Sequence, residues 1–244
     1  MQTAVILLSG GIDSATCLAL AKASGFECHA LTIGYGQRHQ IEIDSARAVA
    51  QQLGASSHKL LQLDLRAFGG SALTDASIAV PAASNTTPAH IPLTYVPARN
   101  TIFLSLALAW AEVLPADDIF IGVGAVDYSG YPDCRPAFIR SFEETANLAA
   151  VRWLDNEPRL RIHAPLLELP KYEVILRGAA LGVDYALTHS CYDPSSDGAA
   201  CARCDSCRIR MQAFAAAKLP DPTRYLDYTT PSHKEAHHAK TTAV

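Results

Sequence analysis

The sequence predicts an α/β fold, a Rossmann-like parallel sheet of about five strands with helices on both faces, followed by a small helical C-terminal region. Short apolar runs alternate with helical patterns along most of the 244 residues, and repeated βα units build parallel sheets that are covered on both faces. The hydrophobic content of 49% is ample for the core of one such domain. A cluster of four cysteines between residues 191 and 207 marks a region of different character near the C-terminal end.

The first part of the chain contains three predicted strands and two predicted helices, because apolar runs of strand length alternate with helical periodicity there. The strands cover residues 3–8, 27–33 and 58–63, and the helices cover residues 13–24 and 40–53. Gly54 ends the second helix. Residues 66–97 carry four prolines and little periodicity, which favours a long loop over a site.

The middle of the chain continues this alternation. Residues 99–113 predict a strongly apolar helix, residues 118–123 a fourth strand, residues 136–151 a helix and residues 160–166 a fifth strand. A further helix begins near Lys171. Because parallel sheets bind ligands at the carboxyl ends of their strands, we expect the functional residues in the segments that follow the strands.

Composition and charge limit the organisation and the partners of the chain. We expect residues 1–185 to form the α/β domain, residues 186–230 the smaller region and residues 231–244 a polar, flexible tail. The net charge of −4 argues against non-specific binding to nucleic acid. No apolar run approaches the ~18 residues of a membrane span, and the N-terminal run lacks the basic flank of a signal peptide. We therefore expect a cytoplasmic protein that binds neither nucleic acid nor membranes.

A glycine-rich polar loop, Ser9-Gly-Gly-Ile-Asp-Ser14, lies between the first strand and the first helix. Its adjacent glycines let the backbone turn with the N–H groups on one side, and the N-terminal end of the helix adds positive potential. These features favour phosphate oxygens as the ligand. The loop lacks the lysine of a Walker loop and the third glycine of a dinucleotide-binding loop. The alternative is a solvated turn in which Ser9 or Asp13 caps the helix.

The loop resembles the S-G-G-x-D-S loop of the N-type ATP pyrophosphatases, or PP-loop enzymes, which bind ATP, transfer AMP to a substrate oxygen and release pyrophosphate. The resemblance implies the fold of the adenine nucleotide alpha hydrolases, with residues 1–185 as the ATP-binding domain. It also implies ATP as a substrate with Mg²⁺, which Asp13 can contact. The segment implied to bind the nucleotide comprises Leu8, Ser9, Gly10, Gly11, Ile12, Asp13, Ser14, Ala15, Thr16, Cys17 and Leu18.

Four closely spaced cysteines, Cys191, Cys201, Cys204 and Cys207, are the second signal of function. A disulfide framework is not expected in a cytosolic chain, so the spacing favours a tetrahedral zinc site, one per chain, within residues 186–230. Four thiolates leave no open position for water on the ion, which favours a structural role. An iron–sulfur site and a redox pair that transfers sulfur to tRNA are the alternatives.

Three further segments carry polar and aromatic residues where a ligand is expected. Residues 35–39 follow the second strand, residues 95–100 lead into a helix, and residues 124–133 follow the fourth strand. Carboxylates and aromatic rings in the last segment suit a planar heterocycle. Polar connecting loops and simple helix capping are the alternatives. The candidate substrate-binding residues are Tyr35, Gln37, Arg38, Arg99, Asn100, Asp127, Tyr128, Tyr131 and Asp133.

Together, these motifs are similar to those of the 7-cyano-7-deazaguanine synthase family. The similarity covers residues 3–225 and rests on the Ser9 loop, residues 35–39, residues 96–100, residues 127–135 and the four cysteines. Two positions depart from the family pattern. Ala137 stands where an acidic residue is common, and Ala202 stands where glycine is common.

The resemblance implies a ligase of queuosine biosynthesis that converts 7-carboxy-7-deazaguanine, ammonia and ATP to 7-cyano-7-deazaguanine (preQ0). Transfer of AMP to the carboxylate supplies a leaving group for ammonia, and a second activation of the resulting amide gives the nitrile. The implied catalytic residues are Asp13, Arg99 and Lys171. Arg99 and Lys171 would neutralise charge on the reacting carboxylate or on pyrophosphate.

The resemblance also implies which residues read the substrate. Asp127 or Asp133 would accept hydrogen bonds from the guanine-like edge, and Tyr128 or Tyr131 would stack on its ring.

The family implies a homodimer, and Trp110, Trp153 and the apolar helix at residues 99–113 are candidates for the subunit contact. Two other functions stay open at this point. One is a tRNA-thiolating or other AMP-forming PP-loop enzyme, and the other is a zinc-dependent binding module without catalysis.

Overall fold

The structure is a computed structural model that describes residues 2–83, 91–124, 130–154 and 159–226. No helix in these ranges is long and apolar enough to cross a membrane. The strands are β1 (Thr3–Leu7), β2 (Glu27–Gly34), β3 (Ser57–Gln62), β4 (Asp118–Phe120) and β5 (Arg161–His163). The α-helices given for these ranges are α1 (Ile12–Ala23), α2 (Ile41–Gln52), α3 (Arg99–Val113), α4 (Pro136–Ala149), α5 (Lys171–Ala180) and α6 (Asp205–Ala217).

The five strands form one parallel sheet in the order β3-β2-β1-β4-β5, so the predicted α/β fold is confirmed. β1 lies at the centre, where Ile6 is in register with Ala30 of β2 on one side and with Phe120 of β4 on the other. The chain order reverses between β1 and β4. Such a reversal opens a crevice at the carboxyl ends of the two strands, where open α/β sheets bind ligands.

Two hydrophobic cores cover the two faces of the sheet. Successive residues of β1 point to opposite faces, so Ile6 packs in a core with α1, α2, α5 and α6, and Val5 packs in a second core with α3 and α4. Both side chains are fully buried. Burial contributes roughly 1.5–3 kcal/mol for each large apolar side chain, and it is the main force that holds the helices on the sheet.

The two tryptophans lie in the second core, which corrects the expectation that they form a subunit contact. Trp153 is fully buried, and its Nε1–H donates to Asp117 Oδ1 at 2.8 Å. Trp110 is buried in the same core. Large aromatic residues on apolar helices suit both a core and an interface, so their sequence context does not separate the two.

β4 and β5 are shorter than predicted, although the apolar residues that follow each strand are buried. Beyond β4, Ile121 and Val123 are buried, but the chain leaves the sheet at Gly122. A Cβ atom on Gly122 would lie 2.9 Å from the Ser14 nitrogen, so the chain here passes directly against the start of α1. Leu166 likewise packs in the core after β5 has ended.

The segment between β3 and α3 is a long loop, as predicted, within the residues that the structure describes. It contains one short 3-10 helix, Leu65–Ala67. Leu73 and Val96 anchor the loop in the second core.

Gly10 is a position at which the fold has no room for a side chain. Its φ is +86°, and an added Cβ would lie 2.4 Å from the Glu42 backbone oxygen and 2.7 Å from the Ala46 nitrogen of α2. We expect Gly10→Ala to lower the free energy of unfolding by about 2–5 kcal/mol, because left-handed strain adds to overpacking against backbone. Gly11→Ala is the matched control, since its Cβ would meet its nearest neighbours at 3.6 Å. Urea unfolding measures both variants, and equal loss of stability in the two would contradict this explanation.

Candidate functional site

The loop after β1 is closed by hydrogen bonds of its own serines. The Ser14 hydroxyl donates to the Gly11 carbonyl at 3.1 Å, and the Ser9 N–H donates to Ser14 Oγ at 3.1 Å. From outside the loop, the His189 backbone N–H donates to the Gly10 carbonyl at 3.0 Å. These bonds hold the loop at the N-terminal end of α1, where backbone N–H groups and the helix dipole favour an anion.

A cavity of about 250 Å³ opens beside this loop at the carboxyl ends of the central strands. It brings together the loop, the segments after β2 and β4, and the first residues of α3 and α5. The predicted site residues that line it are Leu8, Ser9, Gly11, Ile12, Asp13, Ser14, Tyr35, Gln37, Arg99, Asn100, Tyr131 and Lys171. Parts of the chain that are far apart in sequence therefore meet at one site, as the position of the crevice predicts.

The later part of the predicted nucleotide segment points away from the cavity. Ala15, Cys17 and Leu18 are fully buried in the core, and Thr16 Oγ1 hydrogen-bonds to the Tyr185 hydroxyl at 2.8 Å. The side chains that can meet a nucleotide therefore belong to the first turn of α1 and the loop before it. A helix presents only one side to a ligand, so the residues on its opposite side cannot contact a nucleotide. The predicted nucleotide segment, residues 8–18, includes both sides of α1.

Other predicted residues also take positions outside the cavity lining. Gly10 faces α2, as its close approach to that helix shows. Arg38 Nη2 donates to the backbone carbonyl of Asp75 at 2.9 Å, so it fastens the long loop. Asp127 and Tyr128 lie outside the described residues.

Lys171 and Asp13 form an ion pair beside the glycine-rich loop. Lys171 is the first residue of α5, Asp13 lies in the first turn of α1, and Lys171 Nζ donates to Asp13 Oδ2. The exposed fractions of the two side chains are 22% and 20%. The pair places an ammonium group and a carboxylate next to the anion site, where a phosphate or a metal ion can compete for them.

Arg99 is the first residue of α3, and its guanidinium lies over the ring of Tyr35 at 5.8 Å from the centroid. The preceding residue, Ala98, has a left-handed φ of 55°, which turns the chain into the helix. Burial raises the pKa of Tyr35 to about 12. The phenol is therefore neutral at pH 7 and does not neutralise the charge of Arg99.

Asp133 and Asn100 hold the start of α3 against the segment after β4. The Asn100 N–H donates to Asp133 Oδ2 at 3.0 Å, and Asn100 Nδ2 donates to the Asp133 carbonyl at 3.1 Å. Asp133 is buried and is not part of the cavity lining. This geometry favours helix capping by Asp133 over the predicted contact with a heterocycle.

Two ionisable residues that line the cavity, Glu42 and His189, are missed by sequence reasoning. Burial raises the pKa of Glu42 to about 7. The Nε2 atom of His189 is buried without a hydrogen-bond partner among the described residues, and burial lowers the pKa of its ring to about 4. No local pattern marks either residue, because Glu42 resembles any polar position of an amphipathic helix and His189 lies in an irregular segment.

The four predicted cysteine ligands meet in one buried cluster that could hold a metal ion. Their sulfur atoms all lie within 4.8 Å of one another, and all four residues are buried. Backbone N–H groups point at the sulfurs, as in the bond from Cys201 N to Cys191 Sγ at 3.1 Å. Hydrogen bonds among the four thiols lower the pKa of Cys201 and raise the pKa values of Cys191 and Cys207. A metal ion displaces the protons of its thiol ligands, so binding here would depend on pH.

The cysteine cluster is joined to the cavity by α6. Cys204 is the N-cap of this helix, and Cys207 lies in its first turn. From the same helix, Ser206, Ile209 and Arg210 line the cavity. A metal ion that fixes the start of α6 would therefore also fix one wall of the site.

Both departures from the family pattern have a structural setting. Ala137 is exposed in the first turn of α4, where an acidic residue would interact with the helix dipole and where no cavity contact is lost. Ala202 lies between two cysteine ligands with a φ of 56°, in the left-handed region that favours glycine.

A phosphate-binding loop at the reversal point of a parallel sheet, with an ion pair beside it, defines a PP-loop α/β enzyme. The chain belongs to the family described as queuosine biosynthesis protein QueC, whose model matches residues 3–218.

Curated relatives are similar to this chain over almost their whole length. The 7-cyano-7-deazaguanine synthase of Thiobacillus denitrificans is 62% identical over 222 residues, which cover 91% of this chain and 97% of the relative. The enzyme of the same name from Azoarcus sp. is 60% identical over 225 residues, which cover 92% and 97%. Among solved structures, NMN synthetase from Francisella tularensis gives a TM-score of 0.49 at 18% identity, covering 100% of this chain and 88% of that chain.

The left-handed backbone conformation of Ala202 leads to a prediction about the stability of the protein. We expect Ala202→Gly to raise the free energy of unfolding by up to about 1 kcal/mol, because glycine adopts this φ without a Cβ clash. The melting temperature should then rise by about 2–4 °C. Ala186→Gly, at an exposed position with an ordinary φ, should lower it. Calorimetry measures the melting temperatures of both variants. A lower melting temperature for Ala202→Gly would contradict the explanation that the left-handed φ strains Ala202.

Proposed function

We propose that this chain acts as a 7-cyano-7-deazaguanine synthase, which converts 7-carboxy-7-deazaguanine, ammonia and ATP to the 7-nitrile. The observation that carries the proposal is the match to relatives of that name at 62% and 60% identity over more than nine tenths of the chain. The PP-loop beside a cavity with both cationic and aromatic walls supports it. Ammonia, ATP with Mg²⁺ and the deazaguanine acid are the proposed substrates.

The reaction proceeds through two activations. A carboxylate oxygen attacks the α-phosphorus of ATP, and the bond to pyrophosphate breaks. Ammonia then attacks the carboxyl carbon and loses a proton, and AMP leaves with that oxygen to give the amide. The amide oxygen attacks a second ATP in the same way, and loss of AMP and protons leaves the nitrile. Each activation turns an oxygen that is a poor leaving group into part of AMP.

We assign this chemistry to three parts of the site. The N-terminal end of α1, with the glycine-rich loop before it, would hold the phosphates. Lys171 and Asp13 lie beside the loop, where the ammonium group would neutralise the leaving pyrophosphate and the carboxylate would hold Mg²⁺. Arg99, whose charge faces the cavity from α3, would neutralise the substrate carboxylate as it approaches ATP.

The cysteine cluster is proposed to hold one structural zinc ion. Four thiols enclosed at 0–3% exposure suit a closed tetrahedral site, because no position is left for water or for a sulfur acceptor. The proposed zinc would hold the start of α6 in place, and with it the cavity wall formed by Ser206 and Ile209.

The proposal includes a homodimer in the cytoplasm. The seven cysteines are free and buried, which suits a reducing compartment. Among the described residues, Val113, Leu148 and Val151 are strongly exposed apolar side chains that a partner subunit could cover. Sedimentation equilibrium measures the oligomeric state directly.

The products of the reaction test the PP-loop assignment. With 7-carboxy-7-deazaguanine and ammonia, the enzyme should release AMP and pyrophosphate. Asp13→Asn should lower kcat by about a hundredfold to a thousandfold, because it removes the carboxylate proposed to hold Mg²⁺ beside the phosphates. Asp44→Asn, at an exposed carboxylate of α2, is the control and should keep wild-type turnover. Chromatography of the nucleotides gives the answer, and release of ADP and phosphate by the wild type would overturn the assignment.

Metal analysis tests the zinc site. Purified protein should contain one zinc per chain, and Cys204→Ser should lose the metal and much of its stability, because structural zinc contributes to folding directly. Cys28→Ser, a buried cysteine outside the cluster, should keep the metal. Stoichiometric iron with labile sulfide would instead show that the cluster is not a zinc site.

A further inference from the structure

The cavity contains a carboxylate, that of Glu42, which has no role in the reaction steps proposed above. Among the described residues that line it, Asp13 and Glu42 are the two carboxylates. Asp13 accepts a hydrogen bond from Lys171. Glu42 makes no side-chain hydrogen bond and no ion pair with any residue that the structure describes.

An unpaired carboxylate in this position is costly to keep. Glu42 is partly buried, and burial raises the pKa of its carboxyl to about 7 in spite of the opposing charge of Arg99. A buried group that lacks partners in the protein loses the hydrogen bonds that water would give it. A ligand that carries N–H groups would restore those bonds, so the cavity is built for such a ligand at this point.

The walls around Glu42 suit a flat, partly apolar ligand. Tyr35 and Phe103 line the cavity with their rings 5.6 Å apart, and Tyr131 lines it from the segment after β4. Arg99 lies over the Tyr35 ring and supplies a cation. A planar heterocycle would pack between the aromatic walls, and hydrogen-bond donors on one of its edges would face the Glu42 carboxylate. A carboxylate elsewhere on the ligand would face Arg99.

The position of Glu42 is fixed together with the phosphate site. Glu42 lies in the first turn of α2, and its backbone oxygen would be 2.4 Å from a Cβ on Gly10. The helix that carries the carboxylate therefore packs directly against the PP-loop. A ligand edge bound to Glu42 would be held at a set distance from ATP, which is what an adenylation reaction requires.

We propose that Glu42 is the specificity-determining residue for the guanine-like edge of the substrate, accepting hydrogen bonds from its ring N–H and its exocyclic amino group. The inference rests on the proposed function, because it takes the substrate to be 7-carboxy-7-deazaguanine. The two oxygens of a carboxylate lie side by side and match two adjacent N–H donors. Adenine would be rejected here, since its ring nitrogen at the corresponding position is an acceptor.

The test compares two substrates and two variants. The substrates are 7-carboxy-7-deazaguanine and its analogue without the exocyclic amino group. The wild type should prefer the amino compound by about a hundredfold or more in kcat/KM, because the analogue leaves a buried acceptor unpaired. Glu42→Gln should lower kcat/KM for the amino compound by about a hundredfold and reduce the preference below tenfold, with the KM for ATP nearly unchanged. Asp44→Asn on the same helix should match the wild type in both respects.

The readouts separate recognition from a merely structural effect. A loss of stability in Glu42→Gln would slow both substrates alike, whereas lost recognition removes the preference between them. An unchanged preference in Glu42→Gln, or an effect confined to the KM for ATP, would overturn the inference while the proposed function stands. Absence of turnover of 7-carboxy-7-deazaguanine by the wild type would overturn the proposed function and the inference together.

Discussion

The structure depends on one constraint, the left-handed turn at Gly10 that joins the central strand to α1. With a φ of +86° and α2 packed against it, this residue fixes where the chain leaves β1 and where the first helix begins. The His189 N–H ties the C-terminal region to the same residue. The phosphate site, the second helix and the C-terminal region are therefore positioned from a single point of the backbone.

The cavity takes its chemistry from segments that fold separately but end at the same edge of the sheet. Asp13 and Lys171 come from the starts of two helices, and Arg99 comes from the start of a third. Helix starts carry positive potential, so anionic groups of a ligand would find favourable surroundings there. A metal ion held by the cysteine cluster would contribute at a distance, because it would fix the start of α6, and Arg210 of this helix lines the cavity.

Much of the fold and part of the site could be predicted from local pattern. The alternation of strands and helices, the loop at Ser9 and the cysteine spacing each carry their own signal within a few residues. The features that local pattern does not predict depend on tertiary packing. The apolar run that predicts β4 extends beyond the end of the strand, because the chain at Gly122 passes directly against α1. Asp133 caps α3, a contact that its neighbours in the sequence do not indicate. Glu42 could not be singled out, since its meaning depends on what lies across the cavity and not on its neighbours in the chain.

Transfer of AMP to oxygen atoms of the substrate is the central claim, and an isotope measurement tests it most directly. 7-Carboxy-7-deazaguanine labelled with ¹⁸O in its carboxylate is turned over with unlabelled ATP and ammonia, and the AMP is analysed by mass spectrometry. In the proposed reaction both carboxyl oxygens leave as part of AMP, so the label should appear in AMP and be absent from pyrophosphate. Unlabelled AMP from a reaction that has formed the nitrile would contradict activation by adenylation.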